Sequence, residues 1–171
     1  KYKKKECGSF GDVSTFSFYA NKHITTGEGG MIVTDNKKIA ERCKSLRNIC
    51  FNKKRRFVHY ELGWNNRFTN LQSAVGLAQL EKLNSFIIKK GNIGKVYNRE
   101  LSKIKIFHTP LDRQTFAKNI YWVYGLVLKK NSQISLKYMM KELMKEGVQT
   151  RHFFWPLHEQ PILKKMGFFK K

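Results

Sequence analysis

The sequence has few acidic residues, few cysteines and no long apolar run. Aspartate and glutamate together number 12 against 34 lysines and arginines, which gives a formal net charge of +22. Cys7, Cys43 and Cys50 form no C-x-x-C pair and the histidines are scattered, so neither a disulfide framework nor a metal site is expected. Without a run of about 18 apolar residues or an apolar region behind the basic N-terminus, we expect no membrane span and no secretory signal. A reducing, cytoplasmic compartment is the natural expectation.

The excess of positive charge permits two interpretations. A basic surface is the usual electrostatic sign of nucleic-acid binding. Dense basic clusters occur only in "NKKRRF" (52–57) and at the two chain ends. The sequence contains no RNP motif, zinc-finger spacing or basic-zipper pattern. We therefore prefer a solvated basic surface and keep a basic nucleic-acid-binding module as the alternative.

Residue patterns near the N-terminus predict two strands and a helix. Residues 12–19, "DVSTFSFY", alternate β-branched or aromatic residues with small polar ones, and residues 31–34, "MIVT", are a short apolar run. The segment between them, "NKHITTGEGG", is rich in glycine and threonine and predicts a loop. Helical spacing in the following segment, "DNKKIAERCKSLRN", predicts a helix capped by Asp35 or Asn36.

A long helix is predicted in the middle of the chain. Thr69 followed three residues later by Gln72 matches a capping box. Apolar residues then keep helical spacing from Leu71 to Ile104, which is longer than most helices of globular proteins. Gly91 and Gly94 interrupt this pattern, so we expect a break or kink there, in a helix that bridges two domains.

The C-terminal third predicts a small α/β lobe. Residues 119–130, "NIYWVYGLVLKK", are strongly β-prone. An apolar stripe that begins at Leu136 predicts an amphipathic helix, closed by Gly147 at its C-terminal cap. The last segment, "VQTRHFFWPLH", predicts a short strand that runs into an aromatic loop.

Lys22 lies between the first predicted strand and the glycine-rich turn, and two interpretations of it stay open. It can be an ordinary residue of a hairpin loop, because lysines often accompany glycine-rich turns. It can also be a lysine that bonds covalently to a cofactor, which requires a fixed amine and nearby anchors. Ser17 offers a hydroxyl five residues earlier, and the glycines that follow allow a close backbone approach.

Four segments carry a resemblance that favours the second interpretation. They are "GSFGDVSTFSFYANKHITTGEGGMIVTDN", "SLRN", "LGWNNRFTNLQSAVGLAQLEKLN" and "GVQTRHFFWPLHEQP". In order and spacing they resemble the DegT/StrS type of nucleotide-sugar aminotransferase, a family of pyridoxal-phosphate (PLP) enzymes with the aspartate aminotransferase fold (fold type I). The resemblance implies an α/β chain that forms the C-terminal portion of this fold. We expect the end of the PLP-binding large domain at 1–85, and the end of the bridging helix with a small α/β domain at 86–171.

The resemblance also implies roles for individual residues. Lys22 would carry the cofactor and act in catalysis, and Ser17 would bind its phosphate. Asn65, in "GWNNR", would reach the phosphate of the neighbouring subunit, which implies a homodimer with shared active sites. Arg67 would be substrate-side or structural. Substrate-facing positions match Tyr19, Arg151 and His158.

The implied activity is transamination of a nucleotide-linked keto-deoxy sugar, with glutamate as the expected amino donor, for amino-sugar and surface-polysaccharide biosynthesis. The first half of the family's sequence, which holds the acidic partner of the pyridine nitrogen, has no counterpart here. We therefore expect a fragment that is inactive alone. An inactive truncated or split-gene product is a further alternative.

Overall fold

The computed structural model describes residues 1–169, so Lys170 and Lys171 of the C-terminal basic cluster lie outside the described residues. The chain divides into two compact units. The first contains Lys1–Tyr97 and Leu111–Tyr124, and the second contains Asn98–Pro110 and Gly125–Lys171. These units are defined by contacts within this chain and not by function. The predicted boundary at residue 85, between the end of the PLP-binding domain and the small domain, therefore stays a prediction.

The first unit begins with an antiparallel hairpin. Strand β1 (Ser14–Ser17) pairs with β2 (Gly30–Val33), with Ser14 opposite Val33 and Ser17 opposite Gly30. Both strands lie where the residue pattern predicts them, although β1 is shorter than the predicted segment. The register places the loop that contains Lys22 between the paired ends of the two strands.

Helix α1 (Lys37–Arg47) follows the hairpin, and Asn36, not Asp35, caps it. The Asn36 side-chain oxygen accepts hydrogen bonds from the backbone N–H groups of Lys38 at 2.9 Å and Ile39 at 3.3 Å. Such a cap satisfies backbone donors that have no partner inside the helix, and typically contributes about 1 kcal/mol.

The predicted capping box is confirmed at the start of helix α2 (Asn70–Glu81). The Gln72 backbone N–H donates to the Thr69 hydroxyl at 3.1 Å, and the Thr69 backbone N–H donates to the Gln72 side chain at 3.1 Å. These reciprocal bonds fix the point at which the chain turns into the helix.

The long helix breaks at Lys82, and the prediction of a break at Gly91 and Gly94 is wrong. Helix α3 (Leu83–Leu101) runs through both glycines without interruption. The Lys82 N–H bonds to the Gln79 carbonyl at 3.1 Å, an i to i+3 contact that tightens the chain before α3 begins. The helical spacing of apolar residues continues across this turn, so the sequence pattern did not reveal the break.

Burial in the first unit centres on Tyr121, which is 3% exposed. Among the described residues, Tyr121 is the buried hydrophobic side chain and Thr26, 8% exposed, is the buried polar side chain. The whole chain exposes 15012 Å², whereas a folded monomer of this mass exposes about 8800 Å². Phe16 of β1 and the last three residues of β2 are between 42% and 52% exposed. This chain therefore leaves uncovered much of the apolar surface that a domain normally buries.

The second unit contains short elements. Strands β3 (Phe107–His108) and β4 (Val127–Leu128) pair antiparallel, and helix α4 (Leu136–Lys145) follows. Gly147 has φ +77°, which fits its predicted place after the helix. A 3₁₀ turn (Leu157–Glu159) and helix α5 (Pro161–Lys165) complete the unit.

Two predicted strands are corrected by the structure. Within 119–130 only Val127–Leu128 is a strand, because Tyr121 has φ +51° and its N–H bonds to the Asn119 side chain at 2.8 Å. That geometry turns the chain away from an extended conformation. The predicted strand after Gly147 is irregular over residues 148–156.

No helix formed by the described residues combines the length and the apolarity that a bilayer crossing requires.

Candidate active site

The Lys22 loop is held closed by backbone hydrogen bonds across its base. The Phe18 N–H donates to the Gly29 carbonyl at 2.9 Å, and the Thr26 N–H donates to the Phe18 carbonyl at 3.0 Å. Within the loop, the Lys22 N–H bonds to the Tyr19 carbonyl at 3.0 Å and forms a turn. The backbone that carries Lys22 is therefore fixed at both ends of the loop.

Helix α2 supports the same loop from one side. The Gln79 side chain accepts a hydrogen bond from the Thr25 N–H at 3.1 Å. A Cβ atom at Gly76 would stand 2.9 Å from the Thr26 methyl group, so a residue without a side chain lets the loop approach the helix closely. The capping box at Thr69 thus orients a helix that in turn supports the candidate active-site loop.

A segment about one hundred residues further along the chain binds both flanks of Lys22. The Trp122 indole N–H donates to the Asn21 carbonyl at 3.0 Å, and a ring nitrogen of His23 lies 3.0 Å from the Ile120 carbonyl. Between these contacts, the Lys22 ammonium lies 3.5 Å from the centroid of the Trp122 ring. Lys22 is half-buried. Trp122 carries no functional signal in the sequence, since nothing in a β-prone aromatic run points to a distant lysine.

Ser17 and Tyr19 lie at the entrance to the loop, and both are exposed. The Ser17 hydroxyl oxygen accepts the Tyr19 N–H at 3.3 Å. This bond uses a lone pair of the oxygen, so the Ser17 hydroxyl hydrogen can still be donated to another acceptor.

Asn65 and Arg67 form a second group of predicted residues. The Arg67 guanidinium donates through Nε to the Asn65 side-chain oxygen at 2.8 Å and through Nη1 to the Asn48 side-chain oxygen at 2.9 Å. A backbone bridge between Asn48 and Asn65 joins the same segments. The side-chain oxygen of Asn65 faces Arg67. The amide nitrogen of Asn65, which is a hydrogen-bond donor, therefore points away from Arg67.

This pair lines a cleft of about 1080 Å³, which also includes Phe16, Gly29, Gly30 and Trp64. Among the described residues, no hydrogen bond joins Asn65 or Arg67 to Lys22 or Ser17. Hydrogen bonds thus join Asn65 to Arg67, and Lys22 through Tyr19 to Ser17, while the cleft beside Asn65 includes Gly30, the strand partner of Ser17.

Arg151 and His158 belong to the second unit, and both are exposed. The His158 Nε2 lies 3.8 Å from the Glu159 carboxylate, a pair that is ionic when the imidazole is protonated. His158 also contacts the Phe169 ring edge-on, with the ring centroids 6.5 Å apart. Their predicted substrate contacts stay predictions.

The residues present fit PLP. The amine of a half-buried lysine on a fixed loop can react with the cofactor's aldehyde, and hydroxyl and amide hydrogens can be donated to its phosphate. Gly30 permits close packing beside this loop, because a Cβ there would stand 2.7 Å from the Phe16 carbonyl oxygen. Lys22 and Ser17 would supply the amine and the hydroxyl of one site, and Asn65 would supply an amide to the site of a neighbouring subunit.

This fold is the C-terminal portion of a type I PLP-dependent aminotransferase fold, as solved structures show. The chain superimposes on PseC of Helicobacter pylori, an aminotransferase involved in the biosynthesis of pseudoaminic acid, with a TM-score of 0.88, 27% identity and coverage of 100% of this chain and 46% of that one. A GDP-4-keto-6-deoxymannose-3-dehydratase with a trapped PLP-glutamate geminal diamine gives a TM-score of 0.78 at 24% identity, covering 88% of this chain and 43% of that one.

The chain belongs to the DegT/DnrJ/EryC1/StrS aminotransferase family, whose profile matches residues 1–170. It is 36% identical over 162 residues to the GDP-perosamine synthase of Escherichia coli O157:H7, which covers 95% of this chain and 43% of that protein. The chain therefore spans less than half the length of the relatives it matches. The resemblance and the fold class inferred from the sequence are confirmed.

Proposed function

We propose that this chain supplies the lysine-bearing part of a PLP-dependent nucleotide-sugar aminotransferase. The observation that carries the proposal is the setting of Lys22, to which the sequence resemblance assigns the role of the family's lysine: it lies on a loop fixed by β1, β2 and α2, and it is half-buried. An ordinary hairpin lysine would need none of these supports.

Lys22 would hold the cofactor through a covalent bond from Nζ and, once displaced by the amino donor, move a proton. PLP, when bound, supplies an electron sink for the bond that is broken at the donor's Cα. The Nζ of Lys22 would take the Cα proton and return it, acting as general base and then as general acid. Ser17 would orient the cofactor by donating its hydroxyl hydrogen to the phosphate.

Asn65 would act across a subunit interface in a homodimer. The amide nitrogen of Asn65, a donor that takes no part in the bond to Arg67, supports this proposal. Arg67 would then be structural: by bonding to both Asn48 and Asn65, it holds the Asn65 amide in one orientation. The exposed apolar surface of the chain supplies the area that such an interface requires.

The relatives' names support a proposal for the substrate class. GDP-perosamine synthase and PseC both serve the synthesis of amino sugars, so we propose a nucleotide-linked keto-deoxy sugar as acceptor and glutamate as donor. Tyr19, Arg151 and His158 are the proposed substrate contacts. We propose that the isolated chain is inactive, since it spans less than half of these relatives.

A chimera tests the proposal. The N-terminal part of the E. coli GDP-perosamine synthase would be joined to this chain, loaded with PLP and treated with borohydride, with Lys22→Ala as the control. We expect reductive labelling of Lys22 and glutamate-dependent conversion of PLP to its amine form, both lost in the control. A chimera that binds PLP at another lysine, with Lys22 unlabelled, would contradict the proposal.

A further inference from the structure

The strongest feature outside the predicted set is Trp122. Its ring face lies against the Lys22 ammonium with 3.5 Å between the nitrogen and the ring centroid. A cation over an indole face is attracted by the ring quadrupole, and this attraction strengthens where water is partly excluded. Both residues are half-buried, so the contact is more than a passing surface encounter.

The position of Trp122 is imposed by its neighbours in the chain. Tyr121 is the buried anchor of this segment: its ring lies against Gly94 of α3, and its hydroxyl donates to the Asp112 carboxylate at 3.0 Å. With Tyr121 fixed, the backbone leaves little freedom in where Trp122 can lie. Contacts that involve the side chains of Trp122 and His23 then bind the segment to the two residues that flank Lys22.

We propose that Trp122 is a positioning residue for Lys22, holding the Lys22 ammonium at one place by a cation–π contact. This inference rests on the proposed function, in which Lys22 bonds to the cofactor. A lysine that bonds to a cofactor and afterwards moves a proton must return its Nζ to the same point, and a long flexible side chain does not do so unaided. The indole ring restricts that freedom through a modest attraction, which the amine can leave in order to react.

Competitive acetylation of the intact chain tests the proposal without cofactor or sugar nucleotide. Trace labelling with isotopic acetic anhydride, complete acetylation with the ordinary reagent and peptide mass spectrometry give the relative reactivity of each lysine. An ammonium held over the ring must leave it before the amine reacts. We therefore expect Lys22 to react more slowly than exposed Lys141 of α4.

Three variants separate a cation–π contact from simple shielding. Trp122→Met keeps an apolar side chain without a ring, and should raise the rate of Lys22 about threefold, which corresponds to about 0.7 kcal/mol. Trp122→Phe retains a ring face and should keep most of the protection. Trp155→Leu, at a tryptophan that is 63% exposed in the second unit, is the matched control and should leave Lys22 unchanged.

The outcomes are decisive in either direction. A rise confined to Lys22 in Trp122→Met supports the proposal, whereas no rise, or an equal rise in Trp122→Phe, overturns it. If every lysine of a variant becomes more reactive, that variant has unfolded. The wild-type chain then decides, because a Lys22 rate equal to the Lys141 rate there overturns the proposal. Since no cofactor is used, this result and the chimera's result can fail independently.

Discussion

Gly94 and Gly91 lie one turn apart in α3, yet the structure predicts opposite effects for the same substitution. A Cβ at Gly94 would stand 2.5 to 2.6 Å from three ring atoms of Tyr121, closer than real Cβ contacts, whereas a Cβ at Gly91 would meet nothing within 4 Å. Alanine favours a helix interior over glycine by about 1 kcal/mol at either position. The difference between the two variants therefore isolates the clash.

We expect Gly91→Ala to raise the free energy of unfolding by about 0.5–1 kcal/mol, and Gly94→Ala to lie about 1–3 kcal/mol below it. For a chain of this length that gap equals roughly 3–10 °C in melting temperature. Urea titration followed by near-ultraviolet circular dichroism measures it, because Tyr121 and its aromatic neighbours lose their fixed environment on unfolding. Equal stabilisation by both alanines would refute the close packing of Tyr121 on α3.

Further predictions follow from other contacts. Thr69→Ala removes a capping acceptor and should lower the free energy of unfolding by about 1 kcal/mol in the same titration. Burial raises the pKa of the Tyr124 hydroxyl, so folding favours its neutral form. The resulting contribution to the free energy of unfolding is complete below about pH 10 and is lost as the pH rises through the folded pKa. Tyr124→Phe should therefore flatten the decline of stability at alkaline pH. In the chimera, mixing Asn65→Ala with Lys22→Ala subunits should restore activity through hybrid dimers, and no recovery would contradict the cross-subunit role. Filter binding near physiological salt should show only weak association with nucleic acid, and tight binding that persists there would favour the alternative.

Local signals predicted those parts of the fold that depend on local physics. The capping box at Thr69 and the glycine after α4 each satisfy backbone groups within a few residues, so a sequence pattern is enough to locate them. The break at Lys82 shows the limit of this reasoning. Glycine weakens a helix in isolation, but Gly94 is required by the ring of Tyr121, whose approach no helical pattern reveals.

The candidate site divides in the same way. Lys22 and Ser17 lie within one hairpin, whose two strands the residue pattern predicted. Trp122 stands far along the chain, in a segment whose β-prone composition predicted a continuous strand. Its place over Lys22 depends on the left-handed backbone of Tyr121 and on the packing of that residue, which are properties of the folded chain.

The hairpin that carries Lys22 contributes to the apolar surface that this chain leaves exposed. Tyr121 is the chain's most buried hydrophobic side chain among the described residues, while Phe16 and Ile32 of the hairpin remain 42% and 52% exposed. About 25 cal/mol is gained for each Å² of apolar surface removed from water, so covering even part of the excess surface would stabilise the chain by many kcal/mol. The hairpin that carries Lys22 is part of that surface. We therefore expect any polypeptide that covers the hairpin to stabilise the chain and to order the candidate active-site loop as well.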